Sequence, residues 1–124
     1  MLKTVRGATT VSANTTIAIQ LGVSKLLNAV LEANKAVGLT PQAITGVWFT
    51  VTADITAENP ARVARTQLSW GNVPMMCATE PAIEGFPPLC VRVMIQWQLL
   101  DPTSAQFEPL PRFIYLHGAA TLRQ

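Results

Sequence analysis

Charge is scarce in this chain. Of its 124 residues 13% are charged, 49% are hydrophobic, and the formal net charge is +2. So small a positive balance gives no electrostatic footprint for nucleic acid. So apolar a composition excludes a disordered chain, and a surface this poor in charge is expected to be covered in part by other subunits. Histidine and cysteine are also rare, with His117 alone and the two cysteines Cys77 and Cys90. There is no CxxC and no paired histidine spacing, so no metal site is expected. Uninterrupted apolar runs of membrane-spanning length are missing, so no membrane association is expected. The start, MLKTVRGATT, lacks the apolar core of a signal peptide. These absences lead to the expectation of a cytoplasmic protein with no disulfide. Lysine occurs only at positions 3, 25 and 35; every later cation is arginine, at Arg62, Arg65, Arg92, Arg112 and Arg123. Arginine offers a rigid fork of donors to planar anions, so this bias reads either as chance in a small sample or as recognition of a small carboxylated or phosphorylated ligand.

The length suits one domain, 1–124, with no internal repeat or dividing linker. Leu2 to Val11 reads as a strand. Thr15 or Thr16 can cap a helix on which Ile19, Val23, Leu26, Val30, Ala33 and Val37 share one face. Gly38 and Pro41 stop that helix. Thr40 to Ala43 is a short helical turn, and Val47 to Thr52 alternates as a strand. Asn59-Pro60 starts a short helix, asparagine as cap and proline in the first turn. Val73 to Thr79 is a strand whose Pro74 suits a sheet edge. Pro81 to Leu89 is a loop. From Cys90 to Leu99 the odd positions are Val91, Val93, Ile95, Trp97 and Leu99, and the even ones include Arg92, Gln96 and Gln98. One face of that strand packs on a core and the other carries polar groups. Asp101 to Pro111 is a second loop, and Phe113 to Leu122 a final strand. The expected fold is α+β: a mixed, mostly antiparallel five-stranded sheet, one long helix and short helical turns.

The stretch from Asn59 to Val93 concentrates the chemistry. Arg62 and Arg65 lie one turn apart on the short helix, Cys77 and Glu80 follow, and Arg92 stands on the next strand. The residues alone leave Arg92 open between a structural ion pair with Glu80 and a ligand contact. Cys77 and Glu80, three apart, would face opposite sides of a regular strand. Both reach one site only if the strand bends or ends near Ala78-Thr79.

RGATTV at Arg6 to Val11, PARVAR at Pro60 to Arg65, VPMMCATE at Val73 to Glu80, CVRVM at Cys90 to Met94, and IYL followed by Leu122-Arg123 together resemble one family. It is the monofunctional chorismate mutase of the trimeric, pseudo-α/β-barrel class. The resemblance implies a homotrimer with active sites at subunit interfaces and the isomerisation of chorismate to prephenate, in phenylalanine and tyrosine synthesis. That reaction is an intramolecular Claisen rearrangement, and it implies no cofactor. The resemblance further implies catalytic roles for Arg92, at the ether oxygen, and for Glu80 and Cys77, by the ring hydroxyl. Arg6 and Tyr115 would contact a carboxylate. Arg65, Arg62 and Arg123 would supply positive potential at the mouth, Leu122 with Met75 or Met76 would be wall, and Asn59 and Ala61 would complete the substrate-binding set. Asn59 stands where similar enzymes often carry an aromatic, which loses an apolar wall and keeps a helix cap. Two rival readings are a non-mutase trimer of similar architecture, of the imine-deaminase kind, binding a small carboxylate, and a module that binds a partner protein through its apolar sheet face.

Overall fold

The alternation in the strand Cys90–Gln98 governs the architecture. Val91, Val93, Ile95 and Trp97 are all 3% exposed or less, and they form the floor of the main core. In the computed structural model, which describes residues 1–99 and 110–123, this strand lies at the centre of a five-stranded sheet. We label the strands β1 (Leu2–Thr10), β2 (Ile44–Val51), β3 (Met75–Thr79), β4 (Cys90–Gln98) and β5 (Ile114–Leu116), and the helices α1 (Thr16–Ala33) and α2 (Pro60–Gln67). The order across the sheet is β3-β2-β4-β1-β5. The long β1–β4 and β2–β4 pairings are antiparallel, and the shorter β2–β3 and β1–β5 pairings at the edges are parallel. This is the mixed, mostly antiparallel sheet expected, with β3 and its preceding Pro74 at an edge.

Both helices cover one face. Ile19, Val23, Leu26, Leu27 and Val30 of α1 are fully buried against the odd residues of β4. Gly7 lets α1 come close: a Cβ there would lie 3.1 Å from Val30 Cγ2, 3.3 Å from Leu26 Cδ1 and 3.2 Å from the Ile114 carbonyl oxygen. From α2, Pro60, Ala61, Val63 and Ala64 are buried. With 18 residues and mean hydropathy 1.2, α1 has the length and composition of a membrane span, contrary to the expectation that no segment does. Its buried stripe makes it the core helix of this sheet.

The α-helix ends four residues earlier than the stripe through Val37 suggests. Asn34 leaves helical geometry at φ −114, ψ 12, and Lys35–Val37 continue as a 3-10 turn closed by Gly38 at φ 86. The cause is the Asn34 side chain, which is fully buried. Its Nδ2 donates to the Val30 carbonyl at 2.9 Å and to the Arg112 carbonyl at 3.0 Å, while its Oδ1 accepts from Arg112 N at 2.7 Å. An asparagine amide competes with the helix for backbone partners, and here it wins by tying α1 to the residues before β5.

The last strand is also shorter than expected. Only Ile114–Leu116 pair with β1; His117 adopts φ 52, and the residues 117–123 turn back as 3-10 helix. Gly118 N donates to Thr10 Oγ1 at 3.0 Å and pins the turn. The turn brings Ala119 onto Ala8 and Cys90, all fully buried, with Phe86, Tyr115 and Leu122 packed around them. This small second core covers one end of the sheet face that the helices leave bare. Most of the loop expected from Asp101 to Pro111 lies outside the described residues, as does the Arg123 side chain.

Candidate active site

On the bare face, even positions of β4 and their neighbours stand in rows. Thr50 of β2, Arg92 of β4 and Ala8 of β1 are in register, and Tyr115 of β5 is next. In the adjoining row Met76, Trp48, Met94 and Arg6 lie side by side. Between the rows is an open cleft of about 220 Å³, walled by Trp48, Met94 and Tyr115, with Arg6, Thr50, Glu80 and Arg92 as its polar groups.

Glu80 follows the end of β3, and its N–H donates to the Val51 carbonyl at 2.8 Å, which sets its backbone beside β2. Its carboxylate accepts from Arg92 Nη1 at 3.0 Å and from the Thr50 hydroxyl, both on Oε1. The Glu80 side chain is 10% exposed and that of Arg92 38%. The Arg92 guanidinium carbon lies 5.7 Å from the Phe86 ring centroid, and that of Arg6 4.8 Å from the Phe113 ring. Cation–π contact of this kind fixes a guanidinium without using its hydrogens. The cleft therefore holds two arginines against one carboxylate, with N–H donors left to grip an anion.

Arg6, Glu80, Arg92 and Tyr115 are thus brought together within one subunit, with Leu122 packed beside Tyr115. Met76, 69% exposed, joins the apolar row beside Trp48. The other predicted residues lie elsewhere. β3 ends at Thr79, one of the two conditions under which Cys77 and Glu80 could reach one site, yet within one subunit Cys77 does not line the cleft. β3 stays regular through Thr79, and Cys77, in register with Phe49, packs half-buried against the main core with Met75. Burial raises the Cys77 thiol pKa. Ala61 is in the main core too, because it lies on the sheet side of α2. Asn59 caps α2, its Oδ1 accepting from Ala61 N at 2.8 Å, and Arg62 and Arg65 are exposed on that helix. Among the side chains that wall the cleft, Thr50, Trp48 and Met94 were not expected as site residues from the sequence. Thr50 and Trp48 sat in a strand whose alternation put them on the face away from the core, and that was the only signal available.

A sheet with two helices on one face, carrying a bare-face cleft lined by two arginines and a carboxylate, defines a small α+β protein with a cleft whose donors suit an anion. The chain matches the family described as chorismate mutase type I over residues 2–124, and it belongs to that family. It is 35% identical to the chorismate mutase AroH of Thermus thermophilus over 99% of this chain and 94% of that protein. Identity to the chorismate mutase AroH of Bacillus subtilis is 30%, over 99% and 91%. Its fold is similar to that of a solved chorismate mutase from Clostridium thermocellum, with a TM-score of 0.80 and 35% identity, covering 95% of this chain and 97% of that one. Membership of this family weighs against both rival readings, the imine-deaminase-like trimer and the partner-binding module.

Proposed function

We infer that this chain rearranges chorismate to prephenate as an isomerase. The carrying observation is that Arg6, Arg92 and Glu80 line one cleft in a chain of this family. Chorismate is a flexible dicarboxylate that must be held folded for its reacting carbons to meet. Arg6, steadied on Phe113, binds a carboxylate with help from Tyr115. As the ether C–O bond breaks and the C–C bond forms, negative charge grows on the ether oxygen. An Arg92 N–H not used by Glu80 meets that charge, and a fixed donor there stabilises the transition state more than the ground state. Glu80 accepts from the ring hydroxyl. No proton transfer, nucleophile or cofactor is needed.

We further propose that the working enzyme is a homotrimer whose sites are completed across subunit interfaces, in the cytoplasm, within phenylalanine and tyrosine synthesis. At about 220 Å³ the cleft of one subunit is smaller than the roughly 300–1,000 Å³ usual for ligand sites, and it is open on one side. The bare face around it exposes Trp48 (41%), Met94 (40%) and Met76 (69%), an apolar row suited to a second copy. The remaining family residues, Asn59, Arg62, Arg65, Met75 and Cys77, would serve the neighbouring subunit's cleft from α2 and β3. Arg123 would add charge at the mouth. The test is chorismate consumption with prephenate formation by purified protein; an inert trimer would overturn the reading.

A further inference from the structure

The Arg92–Glu80 pair engages through a single contact. Arginine and carboxylate ordinarily close a two-toothed pair, with two parallel N–H···O bonds. Here one guanidinium nitrogen, Nη1, meets one oxygen, Oε1, at 3.0 Å. The Thr50 hydroxyl donates to that same oxygen. Thr50 stands directly opposite Arg92 in the β2–β4 register, so hydroxyl and guanidinium converge on Oε1 from adjacent strands. The Glu80 backbone is itself held by Val51. Among the described residues, no hydrogen bond to Glu80 Oε2 and no second one from the Arg92 guanidinium competes with a ligand.

We propose that Thr50 is a positioning residue that holds the Arg92–Glu80 pair one-toothed, keeping Glu80 Oε2 and the remaining Arg92 donors available to the substrate. Without the hydroxyl, the carboxylate is free to rotate and take the stronger two-toothed arrangement. That would consume the acceptor meant for the ring hydroxyl and the donor meant for the ether oxygen at once. The pair would look better made, and the site would work less well. This inference rests on the chorismate reading of the cleft.

The experiment compares Thr50→Val, which removes the hydroxyl at nearly constant shape, with Thr50→Ser, which keeps the hydroxyl and removes the methyl. Wild type is assayed first, and its failure to convert chorismate would sink the reading of the cleft rather than the role of Thr50. With active wild type, Thr50→Val is expected to lose about tenfold in kcat, the scale of one hydrogen bond to a charged group, while Thr50→Ser stays within about twofold. The same Thr50→Val change made in a Glu80→Ala background should cost nothing further, since no pair remains to collapse. A packing role for Thr50 gives the opposite pattern: serine worse than valine, and the same loss in both backgrounds. Thr50→Val within about threefold of wild type, Thr50→Ser as impaired as Thr50→Val, or an undiminished loss in the Glu80→Ala background would each overturn the proposal. If Thr50→Val does not fold, Thr50→Ala takes its place with the same expectation.

Discussion

Replacing Arg92 with lysine separates two roles that share one positive charge. In the wild type one Arg92 nitrogen is committed to Glu80 at 3.0 Å and the guanidinium lies 5.7 Å from the Phe86 ring. Its other N–H groups are carried at a fixed depth by the planar fork. An ammonium is a single hydrated point on a flexible stem. It would follow Glu80, the nearest carboxylate, and leave the ether oxygen with no preorganised donor. Losing one such donor costs about 3–4 kcal/mol, a hundredfold to a thousandfold in kcat. Folding should be nearly indifferent, because a partly exposed ion pair contributes at most about 1 kcal/mol and lysine keeps its charge. Arg92→Lys should therefore keep the wild-type assembly, bind chorismate, and fail mainly in turnover. The assay is chorismate consumption under saturating substrate, beside a urea titration of the same sample. A kcat within about threefold of wild type, well under 1 kcal/mol, would refute the role given to Arg92.

Between pH 6 and 9 kcat should vary by less than about threefold, since no general acid or base acts and burial shifts the Cys77 thiol pKa upward, away from that range; a steep bell-shaped profile from intact protein would count against the mechanism. On the homotrimer proposed above, Arg92→Ala and Arg65→Ala, each expected to be inactive alone, should recover about a quarter of wild-type activity when unfolded together and refolded, because random mixing would place both arginines at a quarter of the interfaces. No recovery in mixed trimers would place Arg92 and Arg65 in one subunit's site. Burial of Cys90 pushes its thiol from an ordinary 9.0 up to about 11. A raised folded pKa gives stability that is whole below about pH 9 and lost as pH rises towards 11, by about 2–3 kcal/mol. Urea midpoints should fall across that window in wild type and fall less in Cys90→Ala; equal slopes would show that Cys90 is not what titrates.

The parts of the fold written in local pattern were legible in the sequence. The alternation through Val91, Val93, Ile95 and Trp97 identified the central strand, and Asn59-Pro60 marked the start of α2 as the cap it is. What escaped depended on distant partners. Nothing near Asn34 says that its amide will meet Arg112, 78 residues on, so the helix stripe read past its true end. The residues from His117 to Leu122 are short and weakly patterned, and the contact of Gly118 with Thr10 turns them into a helical coil rather than more strand. The site followed the same rule. Arg6, Glu80, Arg92 and Tyr115 were recognisable through their motifs, while Thr50 carries no motif, and its role exists only because Glu80 and Arg92 converge on it. Alternation also gave the face of β3 on which Cys77 lies, against the main core and opposite to Glu80.

The buried amide of Asn34 has a kinetic consequence. It closes a very long loop with one side chain just before the three-residue strand that carries Tyr115 and pairs with β1. Contacts between residues so far apart in sequence form only after the loop entropy has been overcome. The β1–β4 ladder spreads that cost over nine residue pairs, whereas β5 adds only three at the sheet edge, so docking of β5 is expected late in folding, with its release an early, partial opening of the native state. The amide proton of Arg112, held by Asn34 Oδ1 at 2.7 Å, is its natural reporter. Its exchange with solvent should outpace that of the central β4 amides, marking how often a folded molecule is without its tyrosine.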